Sequence, residues 1–464
     1  MKKSVLPRAR VTASFVLLTS MSAIHAADMT AKIHILDDVT SAPLRGVRVA
    51  VNTTEAITDA SGTASVTFSA ATATLSVAYD DGKIYRIETF HGMRAEPDLT
   101  VRVPNTEGVR REAVFSVAIP FGPIQREARA LLLLPQPSYE SGGLNFGHYA
   151  NVRLYQDQLQ SDGKFSLVAV ALDDGLIPYK YGYMLDLSPE NLDEAHIHFK
   201  APHSTGIDQA RQLIHWRKQT DAINLSDAAA ECSFSTPPLT VCGLYPDKGG
   251  IFSWVNVWRR GQLFHTPGAF LPARTVGANP LLALPEGQIE LVGHDDPLGF
   301  FPANFARHRF LRYDAAPADP VNITMPNVIV GRVDDPGPRA LTLDASGRGA
   351  RFLIQVLGDK QSAADQLDLG KLQMTWINPK GQRRTIWNQY FSPQAGEATV
   401  ALSAIPESFG ERLPSANFSD FENVQVWLYG SDGVDGYAAA LKSKMSGTDP
   451  MRAGANAFQV TRWR

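Results

Sequence analysis

Short stretches in which apolar and polar residues alternate recur along the whole chain, and they predict an all-β protein. They include GVRVAV, TASVTF, FSLVAVAL, QIELVG and VQVWLY. Successive side chains of a strand point to opposite faces, so alternation gives each strand one face for a core and one for solvent. The 36 glycines and 30 prolines are spread along the chain, and sequences such as Asp59-Ala60-Ser61-Gly62 predict turns. Short strands separated by turns are typical of β-sandwich domains.

One segment has helical spacing instead. Its side chains recur every three or four residues, at Ile207, Ala210, Leu213, Ile214 and Arg217. Ser204 or Thr205 can cap a helix at this point, and Asp208 places a negative charge in its first turn, where the helix dipole favours it. The pattern predicts one short helix near 206–222 between sandwich domains.

The chain also contains a repeated pattern in residues 75–105, 167–202 and 289–327. Each copy has an apolar strand, an Asp-Asp turn, a second strand, a loop with acidic residues and an alternating strand that ends at proline. Loops that differ in length between constant strands are typical of related sandwich domains. We therefore expect tandem copies of one sandwich type.

Two neighbouring stretches resemble a known family. APLRGVRVAV followed by ITDASGTASVTF resembles the transthyretin-like carboxypeptidase regulatory domain and its bacterial immunoglobulin-like relatives, over residues 29–105. The resemblance implies a seven-stranded sandwich without catalytic activity of its own. The predicted fold is therefore a series of immunoglobulin- or transthyretin-like β-sandwich domains with the helical insertion near 206–222.

These patterns divide the chain into five parts. Residues 1–26 are a predicted signal peptide, 28–105 the regulatory-like sandwich and 106–203 a second sandwich. Residues 204–327 combine the helix with a disulfide-containing β region, and 328–464 form a C-terminal sandwich. The middle of the chain departs most from the plain repeat, so a localised function is expected there.

The first residues have the pattern of a secretory signal peptide. Lys2, Lys3, Arg8 and Arg10 precede an apolar run from Val11 to Ile24, which is too short to span a membrane, and small residues follow at Ala26 and Ala27. Residues 1–26 hold four of the 44 Lys and Arg residues and none of the 47 Asp and Glu residues, so cleavage changes the net charge from -3 to -7. We expect an exported protein, periplasmic, at the cell surface or secreted, that has no transmembrane segment and does not bind nucleic acid.

The two cysteines, Cys232 and Cys242, lie close together in the sequence. In an oxidising compartment two nearby cysteines pair, and the prolines between them can turn the chain back, so we predict a structural disulfide. A redox-active pair is the alternative, although the spacing is not Cys-x-x-Cys.

Three histidines form the first candidate site. His196 and His198 share one face of a predicted strand, and His203 follows, so the three could bind zinc. Aligned with the other copies of the repeat, Ile197 and Phe199 correspond to inward-facing positions, which places the histidines on the outer face. Both interpretations, metal ligands and surface histidines, stay open.

Aromatic residues form the second candidate site. Phe252, Trp254 and Trp258 occupy alternate positions of one predicted strand, and Trp216 is near in sequence. Such a face can bind sugar rings or a peptide. The opposite face of this strand is also apolar, as expected for a buried central strand, so core packing is the alternative.

Acidic residues form the third candidate. Asp-Asp pairs occur at 37–38, 80–81, 173–174, 295–296 and 334–335, mostly at predicted strand ends. Carboxylates from several loops could bind calcium, but Asp also initiates turns through its own backbone. The GSDGVDG stretch at 430–436 lacks the spacing of a calcium loop and predicts a hairpin turn between VQVWLY and YAAALKS.

The sequence gives little support for a catalytic function, since it contains neither a G-x-S-x-G nor an H-E-x-x-H motif. The sequence leaves enzyme activity uncertain and favours a non-enzymatic exported protein that binds a protein or carbohydrate partner at the cell envelope, without a cofactor. One alternative is an exported metal-dependent hydrolase or metal-binding protein that uses His196, His198 and His203, with zinc or calcium as the ion. A second is a subunit of a surface fibre or pilus.

Overall fold

The computed structural model describes residues in segments along the chain. They are 28–38, 41–68, 72–80, 84–104, 112–118, 130–134, 138–140, 149–155, 160, 162–172, 178–188, 215–218, 223–224, 252–265, 269–270, 275–276, 284–294, 305–315, 321, 323, 328–334, 351–358, 367–377, 384–393, 396–401, 409 and 421–463. These residues form 28 strands, one α-helix and one short 3-10 helix, which confirms the predicted all-β class.

The N-terminal part is a sandwich of seven strands, the number that the family resemblance implies. Its strands are β1 (Met29–Asp37), β2 (Arg48–Val51), β3 (Thr54–Ile57), β4 (Thr63–Phe68), β5 (Thr72–Asp80), β6 (Ile84–Arg94) and β7 (Asp98–Val103). One sheet has the order β4-β1-β7, and the other carries β6-β5-β2-β3. Inward residues such as Ile33, Val66 and Val101 of the first sheet pack with Val49 and Leu75 of the second.

The first copy of the predicted repeat has the expected pattern. β5, β6 and β7 are its three strands, and Val101 and Val103 of β7 are fully buried while Thr100 is exposed. In the third copy Ile323 is buried, as the alignment requires. The corresponding strand of the second copy, with the three histidines, lies outside the described residues.

The predicted turn before β4 requires a glycine at its fourth position. Asp59 Oδ1 accepts hydrogen bonds from the backbone N–H groups of Ser61 at 2.8 Å and Thr63 at 3.0 Å. Gly62 has a φ of +72°, and a Cβ atom added there would lie 2.8 Å from the carbonyl oxygen of Ile35. This turn brings the chain so close to β1 that only glycine fits.

Replacing Gly62 with alanine is expected to lower the free energy of unfolding by about 1 to 3 kcal/mol, because strain from the positive φ adds to the contact with Ile35. Gly46→Ala is the matched control, since Gly46 has a φ of +79° with no atom within 4 Å of an added Cβ. Urea unfolding should show a clearly larger loss for Gly62→Ala. Equal losses would show that β1 moves aside freely.

One large sheet connects distant parts of the chain. From one end to the other its strands are β17 (Gln262–His265), β16 (Phe252–Arg259), β20 (Gln288–His294), β21 (Phe305–Tyr313), β28 (Asn456–Trp463), β27 (Phe421–Ser431), β24 (Leu369–Ile377), β25 (Arg384–Phe391) and then β6, β5, β2 and β3. β18 (Ala269–Phe270) pairs with β16 as a thirteenth strand. β25 and β6 are parallel, whereas the pairs from β17 to β25 are antiparallel.

The remaining strands form smaller sheets. The first has the order β10 (Ser138–Glu140), β9 (Ala130–Leu134), β12 (Phe165–Leu172), β13 (Pro178–Leu187) and β14 (His215–Lys218). β11 (Tyr149–Tyr155) pairs with β8 (Glu112–Ala118), and β15 (Ile223–Asn224) pairs with β19 (Thr275–Val276). The last sheet has the order β22 (Val328–Asp334), β23 (Arg351–Gly358) and β26 (Gly396–Ala401).

The large sheet has a core on each face. On one face Trp376, Trp387 and Val426 pack with Ile354 of β23. On the other face Leu369 and Tyr390 join the N-terminal core that contains Leu75 and Val101. The same sheet therefore crosses the predicted boundaries at 105 and 327, and the five-part division of the chain stays a prediction.

Two local predictions were wrong. Residues 215–218 of the predicted helix near 206–222 form β14, paired with β13, and the rest of that range lies outside the described residues. YAAALKS is not the second strand of a hairpin but part of helix α1 (Gly436–Met445), which a 3-10 helix (Pro450–Arg452) follows. Alanine, leucine and lysine favour a helix here, and Asp368 accepts hydrogen bonds from the N–H groups of Ser431 and Gly436, which holds the turn before it.

Candidate functional site

A cleft of about 530 Å³ opens on one face of the large sheet. Side chains of β16, β17, β20, β21, β24, β25, β27 and β28 form its floor. The end of α1 and the 3-10 helix form its wall, from Lys444 to Arg452. A concave site of this size on a rigid sheet is suited to a small ligand.

Strand alternation decides which side chains line the cleft. Asn256 of β16, Glu290 of β20 and Arg312 of β21 are cross-strand neighbours. They lie on one face of the sheet because paired residues of adjacent strands point the same way. The next residues inside each strand, such as Val257 and Leu291, turn to the opposite face and are fully buried.

Glu290 is the centre of a buried polar cluster in the cleft floor. Its Oε1 atom lies 2.8 Å from both Nε and Nη2 of Arg312, and its Oε2 atom accepts bonds from Asn256 Nδ2 at 2.9 Å and Trp258 Nε1 at 3.1 Å. The Glu290 and Arg312 side chains are each only 4% exposed. A carboxylate with this many donors is held in one position. It therefore organises the floor of the cleft.

Three further cations line the cleft. Lys371 lies on β24 with its Nζ atom 4.3 Å from the ring centroid of Trp427, and Lys444 lies in the last turn of α1. Arg452 stacks its guanidinium 3.9 Å from the ring centroid of Trp258. Burial lowers the pKa of Lys371 to about 8, with a further lowering from Lys444 and Arg86, while Glu88 acts in the opposite direction.

Two tyrosines add neutral hydrogen-bonding groups. Burial raises the pKa of Tyr429 well above its ordinary value. Burial and the nearby Glu88 carboxylate do the same for Tyr390. Both phenols keep their protons at neutral pH. The Tyr390 hydroxyl is directed at Glu88, so Tyr429 is the phenol that can donate a hydrogen bond to a ligand.

A pair of histidines lies at one end of the cleft. Nδ1 of His294 and Nε2 of His308 are 2.7 Å apart, so the two rings share one hydrogen between these atoms. Burial, and then the charge of His294, lowers the pKa of His308 to about 3. His308 is therefore a neutral imidazole at physiological pH.

This histidine predicts a pH dependence of stability. Between about pH 3 and 6.5 the unfolded chain carries a proton on His308 that the folded protein does not. The free energy of unfolding should therefore fall as the pH is lowered through this range, by up to about 1.4 kcal/mol per pH unit from this group. Urea unfolding of His308→Gln should show a shallower slope, while His34→Gln, at the far sandwich, should keep it. An unchanged slope in His308→Gln would contradict the assignment.

The structure places only part of the predicted site. Trp258 lines the cleft on β16. It is not a bare platform, since Arg452 covers its ring and Glu290 accepts its N–H. Phe252 and Trp254 lie on the same strand and Trp216 on β14, but their side chains are not among those described.

Two other predicted sites lie outside the described residues. They are the histidines His196, His198 and His203 and the disulfide between Cys232 and Cys242. Within the described part, no group of three His, Cys, Asp or Glu side chains could hold a metal ion. Among the Asp-Asp pairs, Asp37, Asp80 and Asp334 are the last residues of β1, β5 and β22, as predicted, and the pairs at 173–174 and 295–296 lie outside the described residues.

Sequence reasoning missed most of the cleft. Glu290 and Lys371 are the only Asp, Glu, Lys or Arg residues of their strands, QIELVGH and LGKLQMTWI. A charge at a buried strand position requires a partner or a function, and that signal could have singled out both residues. Nothing local in the sequence indicates that they share one face of one sheet.

No protein-family model matches the chain, and no curated protein matches it. The resemblance of residues 29–105 to the carboxypeptidase regulatory domain therefore stays a prediction. None of the helices in the described segments is long and apolar enough to cross a membrane.

Proposed function

We propose that this is an exported, non-enzymatic binding protein whose cleft holds a small polar ligand, such as part of a glycan or peptide of the cell envelope. The cleft itself carries the proposal, because it joins about 530 Å³ of space to fixed polar and aromatic side chains. The described lining contains no serine, threonine or cysteine that could act as a nucleophile, and burial lowers the pKa of His308 so that its imidazole is neutral. These features favour binding over catalysis.

Export rests on the N-terminal pattern of basic, apolar and small residues. In an expressing bacterium we expect the mature protein in the periplasm, at the surface or in the medium, with an N-terminus near Ala27. N-terminal sequencing of the purified protein tests this. Export would be contradicted if the protein were recovered from the cytoplasm with Lys2 and Lys3 still at its N-terminus.

The binding proposal is tested with a blocked cleft. Leu263 of β17 lines the cleft, so Leu263→Trp should fill part of it. Ile57, 63% exposed at the far end of the same sheet, offers the matched control Ile57→Trp. Envelope oligosaccharides and peptides are screened by thermal shift and calorimetry. We expect a ligand that binds the wild type and Ile57→Trp at least about tenfold more tightly than Leu263→Trp. A ligand that all three bind equally would place binding elsewhere.

A further inference from the structure

The charges that line the cleft do not balance. Its described lining has four basic side chains, Lys371, Lys444, Arg452 and Arg312, and two acidic ones, Glu290 and Asp449. Arg312 is neutralised by Glu290. Asp449 is engaged at the start of the 3-10 helix, where its Oδ1 accepts the N–H of Met451 at 3.0 Å. The cleft is thus left with a net charge of about +2, in a chain whose net charge is -3.

Two of the lining cations are lysines, and Lys371 is the one in the floor of the cleft. It lies on β24 between Tyr390 of β25 and Trp427 of β27, its cross-strand neighbours. Among the described residues no carboxylate oxygen lies within 4.0 Å of its Nζ atom, which lies 4.3 Å from the ring centroid of Trp427. Glu88 and Asp449 favour its charge only from a longer distance. A buried ammonium group without an ion pair costs free energy unless something compensates its charge.

Lys444 approaches the same place from the wall. Its Nζ atom lies 5.9 Å from the ring centroid of Tyr390, the residue directly beside Lys371. The helix dipole favours Lys444 in the last turn of α1, but Lys371 is on a strand and has no such support. The two ammonium groups repel each other, which contributes to the lowered pKa of Lys371. An anion between them would reverse that repulsion.

We infer that the cleft binds a small organic anion, with its carboxylate or phosphate between Lys371 and Lys444 and the rest of the ligand along Phe310 and the Arg452 side chain that covers Trp258. This inference rests on the proposed function and names its ligand class. Lysines bind either anion as point charges, so both chemistries fit.

Three sugars that share one hexose ring distinguish recognition of the charge from recognition of the ring. Glucuronate carries a carboxylate, glucose 6-phosphate a phosphate, and glucose no charge. We measure their binding to the mature full chain by calorimetry at constant ionic strength. At least one charged sugar is expected to bind about tenfold or more tightly than glucose, and its preference for carboxylate or phosphate identifies the anion.

Lysine variants test the position of the anion. Lys371→Met and Lys444→Met should each weaken binding of the charged sugar about tenfold. Lys442→Met is the matched control on the same helix, because Lys442 is exposed and its Nζ atom lies 3.5 Å from Glu96. It should leave affinity unchanged. Glu88 and Asp449 favour the charged form of Lys371, whereas Lys444 and Arg86 disfavour it. Above about pH 8 wild-type affinity should fall by up to tenfold per pH unit, because Lys371 must then take up a proton when the anion binds.

A second readout does not depend on the chosen sugars. Acetylation of Lys371, followed by mass spectrometry, should be slowed by acetate or inorganic phosphate relative to chloride at the same ionic strength. The inference is overturned if neither anion slows it, if glucose binds as tightly as the charged sugars, or if Lys371→Met keeps full affinity. A neutral ligand that Leu263→Trp excludes would meanwhile leave the proposed function standing.

Discussion

Replacing Arg312 with methionine is expected to lower the free energy of unfolding by about 3 to 5 kcal/mol. Arg312 is the only described cation bonded to Glu290, and both side chains are 4% exposed. Without it the carboxylate would stay buried with only the neutral donors of Asn256 and Trp258. Breaking a buried ion pair costs more than the pair itself contributes, because one charge is left uncompensated.

The double variant Arg312→Met with Glu290→Gln is the matched control. A neutral glutamine can still accept the hydrogen bonds of Asn256 and Trp258, so most of the lost stability should return. Urea unfolding at neutral pH measures both variants. If Arg312→Met alone cost under about 1 kcal/mol, the pair would behave as a surface ion pair, and the buried cluster would not organise the cleft.

The second large effect is expected at Trp387, which is fully buried on β25. Trp387→Ala should cost about 3 to 5 kcal/mol, because it opens a cavity in the core that contains Trp376 and Val426. The indole Nε1 also donates to Thr89 Oγ1 of β6 at 3.0 Å, across the parallel pair that β25 forms with the N-terminal sandwich. Trp387→Ala should therefore also destabilise the N-terminal sandwich.

Hydrogen exchange distinguishes a local from a shared effect. In Trp387→Ala, exchange should accelerate in both β25 and β6, since each supplies backbone partners to the other. Trp387→Phe keeps most of the packing, loses the bond to Thr89 and should have a smaller effect in the same places. Faster exchange in β25 with β6 unchanged would show that the N-terminal sandwich is independently stable.

Local patterns were sufficient to predict many strands and their faces. The alternation around Trp258 correctly placed it on a strand, and TASVTF is β4 with Ala64, Val66 and Phe68 inward. The turn ending at Gly62 was also predictable, because it depends on adjacent residues. The Asp59 carboxylate accepts the N–H of Ser61, and the glycine adopts a positive φ.

Local patterns gave the wrong element where tertiary pairing competes with local preference. Residues 215–218 have helical spacing but pair with β13, because a partner strand satisfies their backbone groups equally well. In α1 the short run of tyrosine, alanine and lysine shows neither a clear helical nor a clear strand spacing of apolar residues. The turn held by Asp368, 68 residues from Gly436, is not visible locally.

The site was beyond sequence reasoning for a geometric reason. The sequence does not show that Lys371 of β24 and Lys444 of α1 line the same cleft. It also does not show that Glu290 pairs with Arg312 of the next strand. Alternation assigns a side chain to a face, but it does not say which strands become neighbours. That information lies in long-range pairing.

The parallel pairing of β25 with β6 has a consequence for the order in which the protein is made. Trp387 and Thr89 bond across 298 residues of chain, and ribosomes add about 5 to 20 residues per second. For about 15 to 60 seconds after β6 is synthesised, its future partner does not exist. During that interval β6 is an open edge, which other chains can pair with. A chaperone could cover this edge until β25 is synthesised. Alternatively, the sandwich could stay unfolded until then.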